Sequence, residues 1–183
     1  MAKFYNELDP KLQEFIEKQK VFFVGTAAAE GTVNVSPKGM DSLRIVDSKQ
    51  LAWLNLTGSG NETAAHLIET PRMTLMFCAF EGNPLILRVY GTARAIHSQD
   101  SEWSAWISRF PALPGTRQIF LLDIDRIQTS CGFAVPRLQY LEDRNELINW
   151  SEKKGEAGIK EYWKENNQTS IDGKPTKIFD QTN

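Results

Sequence analysis

The sequence predicts a mainly β protein, in which an antiparallel β-barrel carries three or four helices at its periphery. Two observations support this class. Short apolar runs recur in neighbouring pairs with turn residues between them, which is the pattern of β-hairpins. The helical patterns are few and do not alternate with single strands, as a parallel sheet would require. Because a small barrel fills its interior with its own side chains, a ligand is expected at the rim or at a subunit interface.

The first helix has a clear start, since Asp9 is a suitable N-cap and Pro10 is preorganised for the first helical position. We expect Pro37 and Gly39 to end the ladder of the first hairpin, and Gly91 to mark a bend or bulge in a long strand. The expected elements are, in chain order, a helix from residue 9 to about residue 20, strands over 21–27, 32–36, 42–47 and 50–56, a helix over 62–69, strands over 72–80 and 85–96, a helix over 98–110, a strand over 117–127 and a charged helical region over 143–167.

The composition changes after residue 140, where apolar strand patterns give way to charged helical ones. We therefore divide the 183 residues into a barrel domain over 1–140 and a C-terminal extension over 141–183, which ends in a polar arm. The extension has few apolar points, which are Leu147, Trp150, Ile159, Tyr162 and Trp163. They would either dock a partner protein or pack the helices onto the barrel or a dimer, and the second alternative is favoured because a symmetric interface buries such helices easily.

Composition argues against several classes of partner. The net charge of −2 and the pI near 5.8 provide no polycationic surface, so nucleic acid and anionic membranes are not expected as partners. No apolar run approaches the roughly 20 residues of a membrane span, and the first residues lack the apolar centre of a secretory leader. The expectation is a soluble, cytoplasmic protein.

The reactive residue types form no recognisable catalytic or metal motif. The two histidines, His66 and His97, do not have metal-ligand spacing, and no metal is expected. The two cysteines, Cys78 and Cys131, lie in apolar patterns far apart, so we expect reduced, buried thiols. No nucleophile motif such as GxSxG occurs, and the sequence identifies no catalytic residue.

The stretch Thr57–Thr63 is the most informative part of the chain. It joins the end of an apolar strand to the start of a short helix, with glycines that let backbone amides converge and hydroxyls that add donors. It is neither a Walker A loop, which needs Lys where Asn61 stands, nor a dinucleotide fingerprint, which needs Gly or Ala at Thr63. Two interpretations stay open: a phosphate-binding loop, or an ordinary turn with Asn61 or Ser59 as N-cap.

The order of motifs resembles the pyridoxamine 5′-phosphate oxidase-like family of FMN-binding split barrels. The similar segments are Ser-Pro-Lys-Gly at 36–39, Thr-Gly-Ser-Gly-Asn-Glu-Thr-Ala-Ala-His-Leu at 57–67 and Arg-Met-Thr-Leu-Met-Phe at 72–77, and the resemblance covers roughly residues 10–130. It implies a homodimer with FMN at the subunit interface. By position, the residues implied around the phosphate are Thr57, Ser59, Gly60, Asn61 and Thr63, and those implied along the flavin are Ser36, Pro37, Lys38 and Gly39.

One departure from the family pattern concerns charge. The family usually holds the phosphate with an Arg-Lys pair in this loop, where this chain has Asn61 and Glu62. The positive charge would come from Lys38, from an arginine elsewhere such as Arg72 or Arg44, or be replaced by neutral donors. We expect Glu62 to point away from the phosphate. Without the resemblance, Lys38 would be interpreted as a solvated loop cation.

Four further residues are candidates for contacts to the flavin across the dimer. Trp103, Trp106, Arg137 and Tyr140 have planar groups that stack on aromatic rings. For the two tryptophans the alternative is core packing, because an aromatic stripe at helical spacing more often faces a core.

The resemblance implies an FMN-dependent oxidoreductase that moves electrons or hydride to a small-molecule acceptor. Oxidation of pyridoxamine 5′-phosphate itself is disfavoured, since the C-terminal region lacks the arginine- and histidine-rich segment that would bind the substrate phosphate. Two alternatives remain: a non-catalytic flavin-binding or flavin-sensing module, and a split barrel that binds F420 or heme.

Overall fold

The computed structural model describes residues 2–180 and confirms a mainly β fold. The elements, in chain order, are β1 Lys3–Tyr5, α1 Pro10–Lys18, β2 Phe22–Thr26, β3 Asn34–Lys38, β4 Leu43–Ile45, β5 Gln50–Leu56, α2 Glu62–Glu69, β6 Arg72–Cys78, β7 Ile86–His97, α3 Trp103–Ile107, β8 Thr116–Ser130 and α4 Glu146–Asn166. All strand pairs are antiparallel, in the order β3-β2-β6-β7-β8-β5-β4, with β1 beside β8. β3 and β4 are thus the two ends of this seven-strand path.

Both faces of the sheet are buried in its central part. One face packs the larger core, in which the rings of Trp53 and Phe120 stack with centroids 4.6 Å apart. The opposite face of β5 and β8 packs a second cluster around Leu54 and Ile119, against which α3 places Trp103. This double burial explains why β5 is almost continuously apolar rather than alternating.

Several predicted features are confirmed. Asp9 caps α1, since its Oδ1 accepts a hydrogen bond from Leu12 N at 2.8 Å. Helix α2 has the predicted bounds, and Gly91 lies where the register between β7 and β8 shifts. A Cβ at Gly91 would lie 2.9 Å from the carbonyl carbon of Asp123 and closer still to its oxygen, so only glycine fits this bulge.

Other expectations were wrong in detail. Pro37 does not end the ladder but pairs with Phe23 inside β3, which proline tolerates because β3 is an edge strand. Helix α3 has five residues instead of the thirteen predicted, because the chain before Trp103 forms turns. Strand β1 was not predicted, since three residues carry no periodic signal. Helix α4 is broken at Gly155, whose φ is 65°.

The C-terminal extension folds back onto the barrel. Ile159 and Trp163 of α4 form a third apolar cluster with Ile178, and an isolated bridge between Thr169 and Pro175 closes a turn in the arm. Lys174 pairs with Glu69 of α2 at 2.6 Å. The apolar points of the extension thus pack mainly on one another, while polar contacts such as the bond from Trp163 Nε1 to Thr57 Oγ1 join the extension to the barrel within one chain. Within residues 2–180, no helix is both long and apolar enough to cross a membrane.

Candidate functional site

A cavity of about 900 Å³ lies between the edge strand β3, the loop before α2 and the C-terminal extension. It brings together two segments that are about 20 residues apart in the sequence, and all nine predicted cofactor residues line it. They are Ser36, Pro37, Lys38, Gly39, Thr57, Ser59, Gly60, Asn61 and Thr63. The structure therefore places the two groups of predicted residues around one space, which is within the usual size range of small-molecule sites.

The start of α2 is free of a side-chain cap. Asn61 occupies the N-cap position, but its side chain makes no capping hydrogen bond and instead donates to Asn167 O at 3.4 Å. Asn61 is therefore the N-cap residue by position, as the second interpretation predicted, but its side chain does not bond the first-turn amides. Uncapped amides and the positive end of the helix dipole favour an anion at this position.

The hydroxyls of the loop are not equivalent. Thr57 Oγ1 donates to Gly115 O at 2.8 Å and accepts from Trp163 Nε1 at 2.9 Å, so this side chain fixes the loop. Thr63 Oγ1 accepts from Asn34 Nδ2 at 3.3 Å and keeps its own proton as a donor. Ser59 is exposed. Ser59 and Thr63 are thus better placed to donate to a ligand than Thr57.

Sequence reasoning missed Arg117, the buried cation of the site. Arg117 lies near the start of β8, lines the cavity and is 4% exposed. Its Nη1 donates to Gly60 O at 3.0 Å and to Asn167 Oδ1 at 2.7 Å, and its Nε has no partner. Burial lowers the pKa of this guanidinium to about 10. Within residues 2–180 it forms no ion pair.

Lys38 adds a second positive charge to the same cavity. It is partly buried, and its Nζ lies 5.3 Å from the centroid of the Trp53 ring. Burial, and to a smaller extent the nearby charge of Arg117, lower the pKa of Lys38 to about 8. No described carboxylate pairs with it. Two cations that lack acidic partners therefore face one cavity, which is unfavourable unless an anion joins them.

The arginines proposed from the sequence lie elsewhere. Arg44 forms a bidentate pair with Asp41 and donates to Arg109 O, outside the cavity. Arg72 is exposed at the start of β6 and does not line the cavity either. Glu62 lines the cavity, and its Oε1 accepts a hydrogen bond from Ile171 N at 3.0 Å, so the carboxylate is tied to the arm.

Asn167 connects the C-terminal extension to residues that line the cavity. This residue is fully buried; its Oδ1 accepts from Arg117, and its Nδ2 donates to Gly58 O at 3.1 Å. Its backbone carbonyl accepts from Asn61 Nδ2 and from Thr176 Oγ1 at 2.6 Å. One residue of the extension thus connects the loop, the buried arginine and the arm.

The four candidates for cross-dimer contacts do not line the cavity within one chain. Trp103 and Trp106 are partly buried against the second core cluster. Arg137 and Tyr140 are exposed in the irregular segment after β8. Cys78 is buried as expected, whereas the expectation for Cys131 was wrong, because this thiol is exposed just beyond the end of β8. No group of three or more potential metal ligands occurs among the described residues.

Comparison with known proteins identifies the family. The family model for pyridoxamine 5′-phosphate oxidase matches residues 8–131. The chain belongs to this family. It is 35% identical to the pyridoxamine 5′-phosphate oxidase family protein ustO of Aspergillus flavus, over 96% of this chain and 78% of that protein.

Solved structures show that the fold is a split barrel of this family. HupZ from Group A Streptococcus superposes with a TM-score of 0.53 at 21% identity, over 66% of this chain and 91% of that chain. The pyridoxamine 5′-phosphate oxidase-related, FMN binding protein of Nostoc punctiforme superposes with a TM-score of 0.51 at 15% identity, over 77% of this chain and 94% of that chain. At these identities the likeness concerns the fold alone.

Proposed function

We propose that this protein binds FMN non-covalently as a cytoplasmic homodimer and transfers electrons or hydride between a reductant and a small-molecule acceptor. One observation carries the proposal: Arg117 and Lys38 face a cavity of about 900 Å³ without an acidic partner, next to the uncapped start of α2. A phosphate dianion would supply the missing negative charge, and the remaining volume suits a planar ring system.

The residues present fit the two parts of FMN. Ser59, Gly60, Asn61, Thr63 and the guanidinium of Arg117 would hold the phosphate, with Thr57 fixing the loop behind it. Donor hydroxyls, amides and a buried cation together suit a dianion better than any of them alone. The name of the Nostoc punctiforme relative, an FMN binding protein, supports the same ligand.

The other group of predicted residues would orient the ring. Ser36, Pro37 and Gly39 of the edge strand and the turn after it would line the flavin, while Lys38 would place its charge near the phosphate or near the N1–C2=O edge. Positive charge at that edge stabilises the reduced ring and raises its reduction potential. FMN supplies the redox chemistry when bound, so the chain's own residues are required for binding, orientation and tuning of the potential.

The homodimer is part of the proposal because the four cross-dimer candidates lie outside the cavity of their own chain and would reach the ring only from a second chain. The segment after β8 also exposes Phe133 and Leu141, which are 82% and 83% exposed, as an interface would require. In a dimer, Trp103, Trp106, Arg137 and Tyr140 of the partner would approach the ring.

A heme ligand is less well supported by the lining of the cavity. Heme iron is usually held by His, Cys, Met or Tyr, and of these only Met40 lines the cavity among the described residues. Both histidines are buried elsewhere, with His66 Nδ1 3.1 Å from Thr26 Oγ1 and His97 Nδ1 3.4 Å from Gln118 Nε2.

The first experiment is purification without added cofactor, followed by a visible spectrum and mass analysis of any chromophore released on denaturation. FMN at about one per subunit supports the proposal, whereas F420 or heme replaces its ligand. A colourless protein that does not bind added FMN contradicts it. Rapid reduction by NAD(P)H and reoxidation support an oxidoreductase, and a flavin inert to both supports the sensing module.

Paired substitutions test the position of the phosphate. Ser59→Asp with Thr63→Asp places negative charge against it and should abolish flavin retention, while Ser98→Asp with Ser101→Asp adds the same charge at exposed positions outside the cavity. Because Thr63 is buried, Ser59→Asp alone is included as a variant that keeps the fold. If all three variants retain flavin equally, the phosphate is not bound by this loop.

A further inference from the structure

Asn167 hydrogen-bonds to several residues of the site although it does not itself line the cavity. It is 0% exposed, and its amide bridges the two groups that define the phosphate position, Arg117 and the carbonyl of Gly58. Among the described residues, the guanidinium of Arg117 forms its hydrogen bonds through Nη1 alone, to Gly60 O and Asn167 Oδ1. The orientation of this buried cation therefore depends on a residue in the C-terminal extension.

The chemical type of residue 167 is informative. An arginine that is nearly inaccessible to solvent is most easily accommodated by a carboxylate, which neutralises it. Both acceptors of Arg117 are neutral instead, one a backbone carbonyl and the other an amide oxygen. An amide fixes the direction of the guanidinium without cancelling its charge. Aspartate, which has the same shape, would cancel it.

We propose that Asn167 is a positioning residue, which holds Arg117 with a neutral acceptor so that its positive charge stays available to the phosphate monoester of the ligand. This inference rests on the proposed function, and it adds that the C-terminal extension sets the anion affinity of the site. The carboxylates that line the same cavity, Glu62 and Glu165, do not take this charge, since neither pairs with Arg117.

The test compares Asn167→Asp, Asn167→Ala and Gln168→Glu in the full chain. Gln168 is exposed and does not line the cavity, and its side chain bonds Lys164 O, so Gln168→Glu adds the same charge one residue away from Asn167 but outside the site. Each variant is titrated with FMN and with riboflavin, which has the ring but no phosphate. Thermal stability is measured with inorganic phosphate against chloride at equal ionic strength.

We expect Asn167→Asp to weaken FMN about a hundredfold or more and Asn167→Ala about tenfold, with riboflavin changed less than about threefold in both. Gln168→Glu should leave FMN affinity within about threefold, since its charge is solvated. The order of the two Asn167 variants is decisive. If Asn167 only packed the extension, the isosteric aspartate would be the milder change, and both ligands would weaken together.

Equal losses of FMN and riboflavin, or an Asn167→Asp variant that binds FMN as the native chain does, would overturn the inference. If Asn167→Asp does not fold, Asn167→Ala decides the question by the same comparison of the two ligands. If the native chain binds neither flavin, the proposed function fails, and the stability measurement with phosphate then decides the inference about Asn167. Stabilisation of the native chain by phosphate that is lost in Asn167→Asp supports the inference. If phosphate does not stabilise the native chain, the inference is refuted.

Discussion

Replacing Arg117 with methionine should affect ligand binding and stability differently. The positive charge of Arg117 favours binding of the phosphate but lowers the stability of the ligand-free fold. Burial lowers the pKa of Arg117 by more than two units below its ordinary value, to about 10. Since one pKa unit corresponds to about 1.4 kcal/mol, the charged guanidinium destabilises the ligand-free fold by about 3 kcal/mol. The lowered pKa of a base means that the folded state binds the proton less tightly than the unfolded state, so the full cost applies below pH 10, including at neutral pH.

Methionine removes this cost but leaves two acceptors, Gly60 O and Asn167 Oδ1, without their donor. A buried acceptor without a partner costs about 1–3 kcal/mol, so the two together cost about 2–6 kcal/mol. Because the relieved burial of the charge offsets about 3 kcal/mol of this, the free energy of unfolding should fall by no more than about 3 kcal/mol. The lost attraction for the phosphate is not compensated. A unit charge pair at about 4 Å and an effective dielectric of about 20 is worth about 4 kcal/mol. The Kd for FMN should therefore rise a hundredfold or more.

Urea unfolding of the ligand-free protein, followed by tryptophan fluorescence, measures the first quantity, and titration with FMN and riboflavin measures the second. Arg117→Lys is the matched control, because it keeps the charge but loses the fork geometry, and its FMN affinity should lie between those of the native chain and Arg117→Met. The reasoning is refuted if Arg117→Met destabilises the ligand-free fold by more than about 3 kcal/mol while FMN and riboflavin weaken equally. Arg117 would then be a structural hydrogen-bond donor.

Three further predictions concern other parts of the chain. Because the pKa of Lys38 is lowered from 10.5 to about 8, the free energy of unfolding of the ligand-free protein should rise between pH 8 and 10.5, and the affinity for FMN should fall from about pH 8 upward. Lys38→Met should flatten both pH profiles. Profiles that this substitution leaves unchanged would contradict the assignment of the titrating group to Lys38. Gly91→Ala should lower the free energy of unfolding, measured in urea, by at least about 2 kcal/mol. Gly25→Ala should cost clearly less, because its Cβ would lie 3.8 Å from Thr74 O. Similar losses in the two variants would exclude a steric clash at the bulge as the reason for glycine at position 91. Trp163→Phe removes the hydrogen bond to Thr57 and should destabilise by about 1 kcal/mol in the same assay; no change would show that the bond does not hold the extension.

The local parts of the fold and the loop of the site were predictable from the sequence because their signals are local. Helix α2 has the predicted bounds, since its start follows the glycine-containing loop and Pro71 prevents its continuation. The candidate loop and the segment 36–39 could each be recognised from a few adjacent residues, and they do line one cavity. Their meeting in space followed from the family resemblance rather than from the residues themselves.

The parts that were missed depend on contacts between distant residues. Arg117 stands two residues before a run of four apolar residues, which was a weak signal that this arginine is buried. Its role depends on Asn167, 50 residues later, and no pattern in the sequence connects the two. The ladder through Pro37 depends on β3 being an edge strand, which is a property of the complete sheet. Cys131 followed an apolar strand pattern, but the strand ends one residue before it.

The position of the cation also explains how the loop can have asparagine and glutamate where the family usually has an arginine-lysine pair. A cation in an exposed loop is screened by water and salt, whereas a buried one is screened much less and attracts a phosphate more strongly. A buried cation, however, needs acceptors that orient it without neutralising it. Gly60 supplies one and Asn167 the other, and Asn167 is held in turn by Asn61 and Thr176. Substitutions in the arm that displace Asn167 should therefore weaken FMN more than riboflavin, although the arm residues concerned make no contact with Arg117 themselves.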